Sequence, residues 1–189
     1  ITDFLQQDED TILGELVRNN PFSLENSQRN SWLEEIQILK TALAEVGEGH
    51  LILEYTIPRI GNRIDAVFIV DGIVFLLEFK VGSRGYARNA VNQVADYALD
   101  LKNFHKASHD RLLVPILIAT KAPSVDLVPH KMKPGIHEVI KCNQGNISTA
   151  IQRVLAANSE TTLNPIDWIR SPYFPTQTII EAAQALDRG

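Results

Sequence analysis

Cysteine and methionine are nearly absent from this chain: its 189 residues include one of each, Cys142 and Met132. A single cysteine cannot form an internal disulfide, and a cysteine-based zinc site is excluded. We expect Cys142 to be a small buried residue of the segment HEVIKC. Because no methionine precedes Met132, we also expect these residues to be a piece of a longer protein.

A membrane-spanning run and an excess of positive charge are also missing. No apolar run approaches the roughly 18 to 20 residues that cross a bilayer, and the N-terminal segment ITDFLQQDEDT is acidic, unlike signal and transit peptides. We therefore predict a cytoplasmic protein without a membrane partner. The net charge of −5 argues against binding nucleic acid by overall charge, but basic residues gather between positions 59 and 88. That segment fits either a local basic rim or an ordinary mixed surface.

The hydrophobic pattern that is present predicts one α/β domain. Helical periodicity covers residues 27–46, 86–104 and 146–158, and strand patterns cover 50–58, 63–80, 112–120 and 136–142. In chain order the elements are α-β-β-β-α-β followed by β-α. We place the domain at residues 1–158, with its core at about 27–120. Three prolines in the following tail predict that residues 159–189 form a linker and the start of a junction to a further region.

The first of these helices carries an acid on its apolar side. The apolar stripe at helical spacing consists of Trp32, Ile36, Leu39, Leu43 and Val46. Glu35 lies inside this stripe, so its carboxylate either faces the interior or bends back to water.

The strongest local signal is a β-hairpin, RIDAVFIVDGIVFLLEFK, at residues 63–80. An Asp-Gly pair between two runs of β-branched and aromatic residues predicts a type I′ turn at Asp71 and Gly72. Such a turn pairs Val70 with Ile73 and fixes the register of every pair behind them.

Counting back from that turn places Asp65 opposite Glu78 and Arg63 opposite Lys80. These charged residues share one face at the open end of the hairpin, whereas the other face, which includes Ile64, is apolar throughout. Two carboxylates about 5 Å apart repel by roughly 3 kcal/mol at an effective dielectric constant of 20. A divalent cation would reverse that effect, because Mg²⁺ takes carboxylate oxygens as ligands. The alternative is a structural network in which the four charges cancel pairwise.

The arrangement of Asp65 with Glu78, Phe79 and Lys80 on successive strands resembles the PD-(D/E)XK nuclease superfamily. The resemblance covers residues 27–120 and implies a restriction-endonuclease-like α/β fold, with a central mixed sheet flanked by helices on both faces. It implies a Mg²⁺ or Mn²⁺ ion held by Asp65, Glu78, the Phe79 carbonyl and Glu35, the last directly or through water. Lys80 would be the catalytic lysine of a metal-dependent phosphodiesterase.

Gln93 and Tyr97 form QxxxY in the next helix, which resembles the RecB-like and lambda-exonuclease-like branches of the superfamily. Their spacing puts them on one helix face, and the resemblance implies that they border the site. A packed tyrosine beside a solvent-facing glutamine is the alternative. Arg63, Arg84 and Arg88 are candidates for binding nucleic-acid phosphates, or are ordinary surface charges.

Longer stretches, EYTIPRIGNRIDAVFIVDGIVFLLEFKVG and PTQTIIEAAQAL among them, resemble the N-terminal region of bacterial proteins in which a nuclease-like module precedes a Schlafen group 3-type DNA/RNA helicase. This implies a helicase region of the same polypeptide as a partner, and a nuclease acting on nucleic acid, with DNA favoured over RNA. The alternative is a catalytically weak or inactive module that binds nucleic acid or docks the helicase.

Two histidines and two tryptophans are further candidates for functional residues. His105 and His109 have the spacing of a zinc pair, but no third ligand is in reach, so we predict a solvated helix end. Trp32 and Trp168 are expected to be packing residues rather than platforms for stacked bases.

Overall fold

The chain forms a five-stranded sheet. The structure of the protein is a computed structural model, and it describes residues 1–20, 25–127 and 134–187. The helices are α1 (Thr2–Gln6), α2 (Glu9–Asn19), α3 (Asn26–Val46), α4 (Arg88–Phe104), α5 (Ile147–Ala157), α6 (Pro165–Ile169) and α7 (Gln177–Asp187), with a 3₁₀ helix at Lys106–Ser108. The strands are β1 (His50–Thr56), β2 (Arg63–Val70), β3 (Ile73–Lys80), β4 (Leu113–Ala119) and β5 (Ile140–Cys142). The predicted α-β-β-β-α-β order is therefore confirmed as α3 to β4. Across the described ranges, no helix is both long enough and apolar enough to cross a membrane.

The sheet has the strand order β1-β2-β3-β4-β5 and is mixed. Strands β1, β2 and β3 pair in antiparallel fashion, while β4 and β5 continue parallel to β3. Every residue of β4 is buried, as its unbroken apolar run predicts. The strand predicted at residues 136–142 is shorter than expected, because Ile136 makes only an isolated bridge to Leu113 before β5 begins. The sequence between the patterns at 112–120 and 136–142 contains three prolines, and its residues 128–133 lie outside the described ranges.

Helices cover both faces of this sheet. One face packs against α3 and α5, through residues such as Leu43 and Ile151, and the other packs against α4, through residues such as Val94 and Leu101. The α/β class and the restriction-endonuclease-like arrangement of a mixed sheet between helices are confirmed. Cys142 is fully buried in the first of these cores, as expected.

The hairpin turn has the predicted geometry. Asp71 and Gly72 have φ angles of 49° and 76°, and Val70 pairs with Ile73. A Cβ at Gly72 would lie 2.1 Å from the carbonyl oxygen of Thr161, so the turn requires glycine for space as well as for φ.

The alternation predicted for this hairpin fails near its open end. The paired register of β2 with β3 runs from the turn to Ala66 and Leu77. Ile64, which was predicted on the wholly apolar face, packs instead with Tyr55 and Ile57 on the α4 face. The prediction is wrong there because β2 no longer follows the β3 ladder beyond Ala66.

Two helices precede the predicted fold. Asp8 caps α2 by accepting a hydrogen bond from the backbone N–H of Thr11 at 2.9 Å. Ile12 and Leu13 of α2 pack against Trp32 and Ile36 of α3, so this helix adds a small third core to the domain.

Part of the predicted linker is packed on the domain. In α6, Trp168 is 0% exposed, lies against Tyr55 and His105, and donates a hydrogen bond to Ser108 Oγ at 3.0 Å. Beyond α6, the Phe174 N–H donates to the Phe104 carbonyl at 2.7 Å. The segment from Trp168 to Phe174 is thus fixed to the end of α4. The domain boundary at residue 158 and the junction to a further region stay predictions.

The same contacts correct the interpretation of the histidines. His105 is buried, and its ring nitrogens lie 2.7 Å from Ser108 Oγ and 3.4 Å from the Tyr55 hydroxyl. Burial lowers the pKa of His105 to about 4, so the ring is neutral near pH 7. The predicted solvated helix end is wrong for His105, because Trp168 covers it. Trp32 and Trp168 are both buried packing residues, as expected.

Candidate active site

Three carboxylates lie in a row across neighbouring strands. In the β1–β2 register, Leu53 pairs with Ala66 and Tyr55 pairs with Ile64, so Glu54 and Asp65 are the residues that lie between these two pairs. On the other side of β2, Asp65 and Glu78 are the next positions after the last paired residues of the hairpin. Asp65 and Glu78 are therefore neighbours just beyond the last β2–β3 pair, and Glu54 brings a third acid from β1.

Glu35 joins this row from α3. One carboxylate oxygen each from Glu35, Glu54 and Asp65 lie within 4.8 Å of one another, a geometry that can hold a metal ion. The inward orientation of Glu35, one of the two alternatives left open by the sequence, is the one observed. A helix on one face of the sheet and two strands therefore supply acids to one point.

Asp65 is fixed by the neighbouring strand. Its Oδ2 accepts a hydrogen bond of 2.8 Å from the backbone N–H of Phe79. Burial raises the pKa of Asp65, while this hydrogen bond and the charge of Lys80 act in the opposite direction. The Phe79 side chain is buried on the α3 face, and its backbone lies between Glu78 and Lys80 in β3.

Glu78 is the most buried of the predicted site acids, with a side chain only 5% exposed. Its Oε1 accepts a hydrogen bond from Lys80 Nζ at 2.9 Å, whereas its Oε2 is buried with no hydrogen-bond partner among the described residues. Burial and the nearby Asp65 charge raise the pKa of Glu78 to about 7. A buried carboxylate oxygen without a donor is costly, so Glu78 Oε2 could still accept a donor or a cation although Lys80 pairs with Oε1.

Glu35 carries the largest effect of this crowding. Burial, followed by the charges of Asp65, Glu54 and Glu78, raises the pKa of Glu35 to about 9. The cluster therefore holds a proton near neutral pH where carboxyls would ordinarily be ionised.

Lys80 belongs to a hydrogen-bonded chain that reaches α4. Its Nζ donates to Glu78 Oε1 and, at 3.0 Å, to Gln93 Oε1. Gln93 Nε2 in turn donates to the Tyr97 hydroxyl at 2.6 Å. The structure thus brings the predicted QxxxY pair to the predicted lysine, and the alternative of a solvent-facing Gln93 is not what is observed.

Glu54 was missed by the sequence interpretation. It has a φ angle of 54°, which is uncommon for a residue other than glycine, and its Oε1 accepts a hydrogen bond from the Trp32 indole at 3.0 Å. Its Oε2 lies 2.7 Å from Arg63 Nε. A charged residue inside the apolar strand HLILEYT was the available signal.

The three predicted phosphate-binding arginines are placed differently. Arg63 is engaged with Glu54 instead of facing Lys80, because β2 leaves the β3 ladder before reaching it. Arg84 and Arg88 are exposed, in the loop after β3 and at the first residue of α4, which follow the strand that carries Lys80.

The donor set suits a hard divalent cation. It consists only of carboxylate oxygens, as Mg²⁺ and Mn²⁺ prefer, and the neighbouring Glu78 adds a buried oxygen without a hydrogen-bond donor among the described residues. Neither a nitrogen nor a sulfur ligand belongs to the group formed by Glu35, Glu54 and Asp65. The residues present therefore fit such an ion.

Comparisons with known proteins add little. No protein-family model matches the chain, and no curated protein matches it. Among solved structures, the chain is similar to a repair endonuclease from Pyrococcus abyssi, with a TM-score of 0.37 and 20% sequence identity over 56% of this chain. The match covers 42% of that chain, so this protein spans less than half the length of its structural neighbour.

Proposed function

We propose that this protein is a metal-dependent nuclease that hydrolyses phosphodiester bonds of nucleic acid. Glu78 Oε2 carries the proposal: among the described residues no N–H or basic group donates to this buried oxygen, which lies beside the Asp65 carboxyl while Lys80 pairs with Oε1. Most buried side-chain oxygens in proteins accept a hydrogen bond, so an oxygen without a donor at this position is available to a bound cation. A Mg²⁺ or Mn²⁺ ion held by Asp65, Glu78, the Phe79 carbonyl and Glu35 would supply the missing charge.

Such a cation would polarise a phosphate oxygen and lower the pKa of an attacking water. The protein's own residues supply the hydrogen-bond donors and the positive charge. Lys80 has three N–H donors, of which Glu78 and Gln93 engage two, so one remains for a phosphate oxygen or a water. The charge of that ammonium group stabilises the negative charge that grows on the phosphate during attack.

The surrounding residues orient this lysine and the substrate. Tyr97 holds Gln93, and Gln93 holds Lys80, so the lysine amine is directed by a helix rather than by a flexible side chain alone. Arg84 and Arg88 are exposed after the lysine strand, and we propose that they bind phosphates along the nucleic-acid backbone. We propose DNA as the favoured substrate and a cytoplasmic helicase-nuclease as the larger context.

A nuclease assay with matched variants tests this function. Wild type, Lys80→Ala, Asp65→Asn and Asp71→Asn are incubated with single- and double-stranded DNA and RNA, in Mg²⁺, Mn²⁺ or EDTA. Asp71 lies in the exposed turn of the same hairpin and is the control, because asparagine tolerates its positive φ. We expect EDTA-sensitive cleavage by wild type and Asp71→Asn, and none by the other two variants.

Two outcomes would count against a nuclease. Equal cleavage by wild type and Lys80→Ala would identify a contaminant. Mn²⁺ binding that Asp65→Asn abolishes, without cleavage of any substrate, would favour a nuclease-fold module that binds nucleic acid or docks a helicase. Circular dichroism of each variant shows whether the fold is unchanged.

A further inference from the structure

Glu54 occupies an unusual position in the acidic cluster. It lies opposite Asp65 in the register, and one of its carboxylate oxygens is within 4.8 Å of oxygens of both Asp65 and Glu35. Trp32 donates to Oε1 from the interior, so the carboxylate is held in place rather than free to swing into water. Its side chain is 14% exposed.

Arg63 neutralises this carboxylate from outside. The Nε–Oε2 distance is 2.7 Å, but the arginine side chain is 43% exposed whereas that of Glu54 is mostly buried. Burial raises the pKa of Glu54, and the Arg63 charge opposes that rise. A buried carboxylate needs a positive partner, while a half-exposed guanidinium can move to water at small cost.

We infer that Glu54 is an additional ligand of the cation at this site, and that Arg63 is its counter-ion until the cation replaces it. This inference rests on the proposed function. Glu78 lies beside Asp65, and its buried Oε2 receives no hydrogen bond from an N–H or basic group of the described residues; this is the second observation that points to a cation here. The displaced Arg63, two residues before Asp65 on the same strand, then becomes a ligand for a nucleic-acid phosphate, which its planar guanidinium suits.

Calorimetric titration with Mn²⁺ tests the exchange without measuring activity. Glu54→Gln keeps the size of the side chain and should weaken Mn²⁺ binding about tenfold or more, as loss of a carboxylate ligand does. Arg63→Gln removes the competing cation and should tighten Mn²⁺ binding severalfold. In the double variant Glu54→Gln/Arg63→Gln, the effect of Arg63→Gln should vanish, because position 54 then carries no charge for Arg63 and Mn²⁺ to compete for.

Matched controls separate this effect from general electrostatics. Arg59→Gln and Glu48→Gln change the net charge by the same amounts at exposed positions, and should leave the Mn²⁺ dissociation constant within about twofold of wild type. If Arg63→Gln still tightens Mn²⁺ binding in the Glu54→Gln background, Arg63 acts on the other acids and the exchange is wrong. If Arg63→Gln does not fold, Glu54→Gln alone decides, since wild-type affinity in that variant would overturn the inference.

The two proposals fail in different ways. Mn²⁺ binding that Asp65→Asn abolishes but Glu54→Gln leaves unchanged refutes the role of Glu54 and leaves the nuclease proposal standing. Absence of Mn²⁺ binding at millimolar concentration in the wild-type protein refutes both.

The phosphate role of Arg63 has its own measurement. Binding of a fluorescently labelled single-stranded DNA is followed by anisotropy in the Lys80→Ala background, with Mn²⁺ or with EDTA. Adding Arg63→Gln should weaken DNA binding at least about threefold more in Mn²⁺ than in EDTA, because the arginine is released from Glu54 only when Mn²⁺ is bound. Arg59→Gln should have equal effects in both buffers. Equal weakening by Arg63→Gln in the two buffers, or no DNA binding in either, contradicts this role.

Discussion

Lys80 on β3 donates a hydrogen bond of 3.0 Å to Gln93 on α4. This contact connects the acidic cluster to the helix on one face of the sheet, while Glu35 connects it to α3 on the other face. The open end of the hairpin is therefore the place where both helical layers meet the strands. A site built this way depends on the packing of α3 and α4 as much as on its own acids.

Replacing Gln93 with leucine should separate catalysis from cation binding. The leucine side chain has similar size but cannot hold Lys80 or Tyr97, so the lysine amine loses its orientation. Outer partners of this kind typically change activity by about 10–100-fold. We expect that loss in cleavage rate, with the Mn²⁺ dissociation constant within about threefold of wild type, because Gln93 carries no ligand charge.

Asn92→Leu is the matched control for this variant. Asn92 is the exposed neighbour on the same helix, and its replacement should leave the cleavage rate unchanged. Equal rates for Asn92→Leu and Gln93→Leu would show that the Lys80–Gln93 hydrogen bond has no part in catalysis. Tyr97→Phe, which removes only the hydroxyl, should give a smaller loss than Gln93→Leu.

Without a cation, the protein should lose stability as the pH rises. The pKa of Glu35 is raised from 4.5 to about 9, and that of Glu78 from 4.5 to about 7. The folded state therefore binds more protons than the unfolded state between about pH 4.5 and pH 9. This contribution to stability is fully present below about pH 4.5 and is lost as the pH rises through 7 to 9. Thermal unfolding in EDTA should therefore show a midpoint that falls from pH 6 to pH 9.

Glu35→Gln is the variant that tests this assignment. It removes the most strongly shifted carboxyl, so the fall in midpoint should become clearly smaller. Mn²⁺ should reduce the loss in wild type at high pH, since ligands must be deprotonated to bind it. A midpoint with the wild-type pH dependence in Glu35→Gln would show that Glu35 is ionised in the folded protein.

Trp168→Ala should strongly destabilise the domain. Trp168 is completely buried against Tyr55 and His105, and truncating such a tryptophan costs about 3–5 kcal/mol. Ile166→Ala, in the same short helix but 55% exposed, should cost less than about 0.5 kcal/mol. Urea unfolding measures both free energies. A Trp168→Ala variant as stable as Ile166→Ala would mean that α6 is not packed on the domain in solution.

The sequence could predict much of this site because its main motif is local. The Asp-Gly turn fixes the hairpin register, so Asp65, Glu78 and Lys80 reach the same end by counting residues. Helical spacing likewise placed Glu35 on the buried side of α3 and paired Gln93 with Tyr97. Each of these predictions used a period or a turn that a short segment defines by itself.

The remaining features needed contacts between distant segments. Glu54 becomes a site residue only because β1 pairs with β2 and because Trp32 and Arg63 meet its carboxylate. His105 becomes buried only because Trp168, 63 positions later in the sequence, packs over it. No motif in the sequence next to Glu54 or His105 predicts the surroundings of its side chain.

Turn chemistry and hydrophobic periodicity act over a few residues, and they were enough to predict the element order, the hairpin register from the turn to Ala66, and the presence of Asp65, Glu78 and Lys80 near its open end. Tertiary structure decided which acid completes the cluster, how Lys80 is held, and where the C-terminal segment packs. Those outcomes follow from burial and electrostatics, which depend on distances between side chains that lie far apart along the chain. The role of Glu54, a carboxylate on an apolar strand, therefore depends on the assembled sheet and its two helical layers.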